Sequence, residues 1–227
     1  MSLGMLAMVA LLSQSQFLAM SLYLHRSVSH ESVVYRRAAE VIGRVLVFLT
    51  LGHNPEQWAA VHRRHHGVAD TPDDPHSPVQ EGVLPVWLLL PLYYRRGAAA
   101  VEPLPLTRTP VPVIDAIPGW AWPLGPLVLV LVGTPLLGVV PSALVVLTSL
   151  VIYSLQLGAV ASFGHSFGTQ PHVEVPGRDS RILAALTWGE GLHNSHHRWP
   201  GNADLAGEGH PRWADLGYPL CRAARQP

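Results

Sequence analysis

The stretch AWPLGPLVLVLVGTPLLGVVPSALVVLTSLVIYSLQLGAV, Ala121 to Val160, decides the fold. It belongs to an uncharged run of 49 residues, 116–164. A membrane-crossing helix needs about 20 apolar residues, so this run holds two helices and a tight turn. They fall near 121–140 and 142–160, with Gly133, Pro135, Gly138 and Pro141 around the turn. Residues 1–24 are also uncharged and supply a third span near 3–23. A cleaved leader is the competing reading there, but the positive start and small-residue cleavage site are missing.

Every charge therefore lies in residues 25–115 or 165–227, and the three spans return both segments to one side of the membrane. All 15 basic residues are arginine, which assigns that side to the cytoplasm. The 15 acidic residues balance them, and no basic stripe with interleaved aromatics suggests a nucleic-acid partner. One cysteine, Cys221, excludes an internal disulfide framework and a cysteine-built metal site. The 227 residues suit one domain, 1–227. Residues 37–50 have helical apolar spacing, with Glu40 and Arg44 on the other face. Residues 83–94 are apolar, interrupted by Pro85 and Pro91 and followed by Arg95 and Arg96, which suits a segment lying at the interface. Residues 107–122 are proline-rich and irregular. The expected fold is all-α: an integral membrane helical bundle with a cytosolic histidine-rich helical cap.

The cap is where the chemistry lies. His-x-x-His-His occurs twice, at His62/His65/His66 and His193/His196/His197. Positions i, i+3 and i+4 share a helix face, so each trio can serve one cavity. Random placement yields one such motif in roughly 4% of chains with this many histidines, and two together with the pair His25 and His30 in roughly one in a thousand. His25 and His30 are five apart, which an ordinary helix turns away from each other. The pair fits a loosened helix end near Tyr23. Clustered neutral imidazoles hold transition metals, and iron, zinc, copper and nickel all suit them. So many histidines exceed one ion with an open position and point to two.

With their flanks, these motifs resemble the three boxes of the membrane-bound fatty acid desaturases of the stearoyl-CoA/acyl-CoA type. The boxes read His25-Arg26-Ser27-Val28-Ser29-His30, His62-Arg63-Arg64-His65-His66 and His193-Asn194-Ser195-His196-His197. Trp58, Asp74-Pro75-His76-Ser77-Pro78 and Gly189-Glu190-Gly191 extend the likeness. The resemblance implies two iron ions held by these eight histidines and by a ninth, His165, with O2 as co-substrate. It implies a double bond introduced into a fatty acyl chain carried as acyl-lipid, acyl-CoA or on an acyl carrier. Hydroxylase, ketolase or acetylenase outcomes remain open on the same scaffold, and a non-enzymatic metal binder is the remaining alternative. Two electrons would come from a separate cytoplasmic donor of ferredoxin, rubredoxin or cytochrome b5 type.

Ala161 stands where the family has an asparagine, and His53, His76, His172 and His210 match no ligand position. A helix usual before the first box is missing, so it is dispensable or the true start lies upstream of Met1. Glu190 and Asn194 are candidates to orient ligand rings from their outer nitrogens. Asp70, Asp73 and Asp74 would do likewise or build a turn. Arg95 and Arg96 would meet a phosphate-bearing headgroup or anchor an interfacial helix. Ser13 to Gln16, inside the first span, are expected to face the protein interior.

Overall fold

The computed structural model describes residues 2–105 and 111–226. Among these the fold is all-α, with isolated bridges such as Tyr35–Arg225 but no strand. Three helices are long and apolar enough to cross a membrane: Leu3–Ser29, Gly119–Leu137 and Val139–Ser166. Leu131, Val132, Leu136 and Leu147 stay exposed on the last two, as lipid-facing side chains would.

Helix α1 (Leu3–Ala19) starts on the Ser2 hydroxyl and continues without a break through wider turns, Met20–Ser29. Of its polar residues Ser13, Gln14 and Gln16 serve the interior, whereas Ser15 is exposed, against expectation, and donates to the Leu11 carbonyl of its own helix at 2.8 Å. Gln16 is fully buried and donates to the Thr50 carbonyl at 2.9 Å, and Gln14 accepts from the Trp188 indole at 3.1 Å. Helix α2 (Arg37–Leu46) ends in a similar wide turn, Val47–Leu51. Asn54 then caps α3 (Pro55–Val68), accepting from the Gln57 amide at 3.0 Å, with Pro55 at the first helical position.

After the short α4 (Pro78–Glu81) comes α5 (Val83–Ala99). Of the two expected proline interruptions, the one at Pro91 is present, as two helical arms meet at the non-helical Leu89 (φ −115°, ψ 19°). Pro85 sits in the first turn, where its missing amide costs nothing, and Pro91 leaves a kink at Leu89. One face of α5 exposes Leu84, Leu88 and Leu92, while Trp87 crosses α8 at Gly158. Helix α6 (Pro112–Asp115) is anchored by a hydrogen bond from Arg44 to Asp115. Part of the proline-rich 107–122 stretch, 107–110, lies outside the described residues; the rest makes short helical turns, including Gly119–Leu124.

Helices α7 (Gly125–Leu137) and α8 (Val139–Ser166) form the hairpin, turning at Gly138 in a φ of 86° open to glycine. The hairpin packs on α1, and the core beneath the cap gathers Phe17, Met20, Tyr23, Leu24, Trp58 and Trp122. Short helices α9 (Arg181–Leu186), α10 (His193–Arg198) and α11 (Tyr218–Ala224) complete the cap.

Candidate metal centre

Nine histidines converge from α1, α3, α8 and α10. His25, His30, His62, His66 and His196 form one group, and His65, His165, His193 and His197 another. Within each group the ligand-capable atoms lie within 4.8 Å of one another.

The first pair shows how local backbone builds the site. The His30 amide bonds the His25 carbonyl at 3.1 Å, an i→i+5 link. Such wide turns bring residues five apart back toward one side, and the two rings stand 4.9 Å apart. The expected loosened helix end near Tyr23 is thus replaced by a continuous, wider helix. The cap buries this stretch, so no solvent exposure ends it where the polar residues begin.

The Nε2 atoms face inward. His25 and His196 approach to 2.9 Å, His30 and His62 to 2.8 Å, and His66 and His196 to 3.0 Å. In the second group His165 and His193 stand 3.0 Å apart, and His193 and His197 3.2 Å. An imidazole nitrogen binds a first-row ion at about 2.0–2.1 Å, which sets neighbouring ligands about 3 Å apart. The spacing therefore fits two ions, each in all-nitrogen surroundings.

Carboxylates hold the rings from behind. Asp74 accepts from Nδ1 of His65 at 3.0 Å and of His76 at 3.0 Å. Asp70 accepts from Nδ1 of His165 at 2.9 Å. Glu190 Oε2 lies 2.8 Å from Nδ1 of His25. A proton kept on Nδ1 leaves Nε2 bare for a cation. Asp73 sits on the surface near Arg64 instead. Asn194 does not turn to an imidazole. Its amide donates to the carbonyls of His172, Val175 and Pro176, pinning that loop against α10.

Burial, then the crowding of like rings, holds His62, His66, His193, His196 and His197 well below the ordinary imidazole range. The same causes push His30 down to about 2 and His65 down to about 4, with Asp74 partly offsetting the latter. At neutral pH these rings carry free lone pairs, as metal ligands require. Burial raises Glu190, but its contacts with His25, Arg26 and the Ser21 hydroxyl outweigh that and hold the carboxyl below its ordinary range.

Two supports escape a reading of sequence. Arg26 is fully buried and bonds Asp215 at 2.9 Å and Ser21, tying α1 to the end of the chain. Asp179 accepts from the Ser195 amide at 3.0 Å and from His210 at 2.8 Å, seating α10. Both contacts span long sequence separations, and no local pattern marks Asp179. His172 packs on Trp199, and His53, His76 and His210 likewise stand outside the two groups. His76 shares Asp74 with His65 and so belongs to the support of that ring.

A largely apolar cavity of about 580 Å³ begins at His25, His62, His65 and His193 and reaches Trp122 and Tyr153. That size is ordinary for a small-molecule site. Ala161 lines it close to the four-histidine group. Arg95 is at its rim and exposed, whereas Arg96 is paired to Glu81 at 2.6 Å.

Comparison with known proteins agrees with this geometry. Residues 2–213 match the family model described as fatty acid desaturase. A hex-5-enoyl-[acyl-carrier protein] acetylenase of Moorena producens (strain JHB) is 28% identical over 229 aligned residues, covering 89% of this chain and 68% of that protein. A delta-9 desaturase-like 4 protein of Arabidopsis thaliana is 34% identical over 67 residues, 30% of this chain and 22% of that protein. With a family match over nearly its whole length and two buried histidine groups of di-metal spacing, the chain belongs to the fatty acid desaturase family of membrane-bound oxidoreductases.

Proposed function

We propose that this protein removes two hydrogens from adjacent carbons of a fatty acyl chain, converting an alkene to an alkyne. The observation that carries the acyl-chain reading is the apolar cavity opening directly on both histidine groups. The choice of product rests on the longer likeness to an acetylenase, which covers most of both chains. Formation of a double bond in a saturated chain is the second reading, supported by the shorter likeness to a desaturase-like protein.

The nine histidines would hold two iron ions, which supply the oxidising power for an unactivated C–H bond from O2 and two electrons. The chain's own residues do the rest. Asp70 and Asp74 keep the Nδ1 protons of His165 and His65 in place, so those rings offer Nε2 in a fixed direction, and Glu190 stands 2.8 Å behind Nδ1 of His25. The apolar walls exclude water and hold one pair of carbons near the metals. Arg95, at the rim, would meet the phosphate of a carrier-borne thioester. The arginine distribution supports a cytoplasmic position for the histidines, where a separate electron donor would dock.

Expression in a host without its own desaturases, supplied with saturated and alkenoyl thioesters, tests the proposal. The expected product is two hydrogens lighter than the alkenoyl substrate. A product heavier by one oxygen would overturn it in favour of a hydroxylase, and one that gains an oxygen and loses two hydrogens in favour of a ketolase. Loss of hydrogen from the saturated substrate alone would favour the second reading.

A further inference from the structure

We propose that the Tyr153 hydroxyl is a docking point for an oxygen atom of the acyl substrate and thereby sets which carbons face the histidines. The inference rests on the acyl-chain reading above. Tyr153 is 3% exposed and lines the cavity, and its hydroxyl has no hydrogen-bond partner within the protein. A buried hydroxyl without a partner is costly and uncommon. Phenylalanine would fill the same space without that cost, so a plain hydrocarbon gives no reason for tyrosine here.

Its neighbours make the spot a polar patch in apolar walls. The His53 ring stands 6.0 Å from the Tyr153 ring and 5.4 Å from the Tyr94 ring. All three residues line the cavity. Burial pushes His53 down to about 4, so it stays neutral and suits a dipolar group. On the metal side the cavity is bounded by His25, His62, His65 and His193. Tyr153 precedes His165 by twelve residues of α8, about 18 Å of helix rise. A substrate oxygen held there would place a definite stretch of chain between itself and the metals. An acyl carbonyl and a hydroxyl on the chain both offer the acceptor that Tyr153 lacks.

Binding to the metal-loaded protein in lipid nanodiscs, without O2 or reductant, tests this. The probes are an S-acyl pantetheine, the matching S-alkyl thioether that lacks the carbonyl, and that thioether bearing a chain hydroxyl. Wild type should bind one oxygen-bearing probe about fivefold to tenfold tighter than the plain thioether, the size of one net hydrogen bond. The tighter probe identifies the carbonyl or the hydroxyl as the source. Tyr153→Phe should erase the preference while melting at the same temperature or higher. A wild type without preference, a Tyr153→Phe protein that keeps it, or one that melts lower would each overturn the inference. Because no turnover is needed, a preference lost in Tyr153→Phe stands even if wild type makes no oxidised product. Conversely, product formation with the preference intact in Tyr153→Phe sinks this inference and spares the acyl-chain reading.

Discussion

Asp70 accepts a hydrogen bond from Nδ1 of His165 at 2.9 Å, across 95 positions of chain. The carboxylate stands just beyond α3, whereas the imidazole lies at the end of α8, so one contact aligns two histidine-bearing helices. Removing such a partner typically weakens metal affinity about 10-fold to 100-fold. Asp70→Ala should therefore lose iron to a chelator at correspondingly lower concentration than wild type. Identical chelator titrations would show that His165 needs no support.

His196 approaches His25 at 2.9 Å and His66 at 3.0 Å, which makes it the hub of the five-histidine group. His196→Ala should retain metal in the four-histidine group but lose it from the other, with turnover abolished. Metal analysis and product assay read the two effects separately. Full metal content with full activity would remove His196 from the ligand set.

At the α5–α8 crossing, a Cβ on Gly158 would stand 2.2 Å from the Trp87 carbonyl oxygen. Backbone cannot yield as a flexible side chain does, and overpacking costs about 1–3 kcal/mol. Gly158→Ala should lower the melting temperature by several degrees. A variant as stable as wild type would mean that α5 shifts freely along α8.

Acid should destabilise the metal-free protein. An unfolded histidine titrates near 6.5, whereas His65 and His30 are held at about 4 and about 2 in the fold. Above pH 6.5 both states are neutral and these groups contribute nothing. Below it the unfolded chain takes up protons that the folded one refuses, costing about 1.4 kcal/mol per pH unit for each group. Their contributions level off at the folded values, so the fall continues past pH 5. Glu190 and Asp74 add to it, since partners hold both carboxylates below their usual range. Melting temperatures of metal-free protein from pH 8 to pH 5 measure the slope; a flat profile would contradict the neutral cluster.

The long apolar helices were legible because lipid tolerates little else over such lengths, and the hairpin turn is marked by Gly138 and its prolines. The spans outrun their apolar stretches, however. Helix α1 continues to Ser29 and α8 to Ser166, because the cap rather than lipid covers His25 and His165. That the two histidine trios gather at a common site was legible from α-helical periodicity alone. How they divide between the two groups was not: His65 parts from His62 and His66, and His196 from His193 and His197. That division depends on how α3 and α10 face each other, which no spacing within either helix encodes. Asp179 and the Arg26–Asp215 pair were hidden for the same reason, being contacts between distant segments.

Helix α10 supplies His196 to one group and His193 and His197 to the other. These residues are synthesised after the other six histidines of the two groups and after the membrane hairpin that ends at Ser166. Neither group is complete until α10 has been made, so any ion they hold can be fully coordinated only after that point. A product truncated before His193 would carry four of the five histidines of one group and two of the four of the other, so both groups would be incomplete.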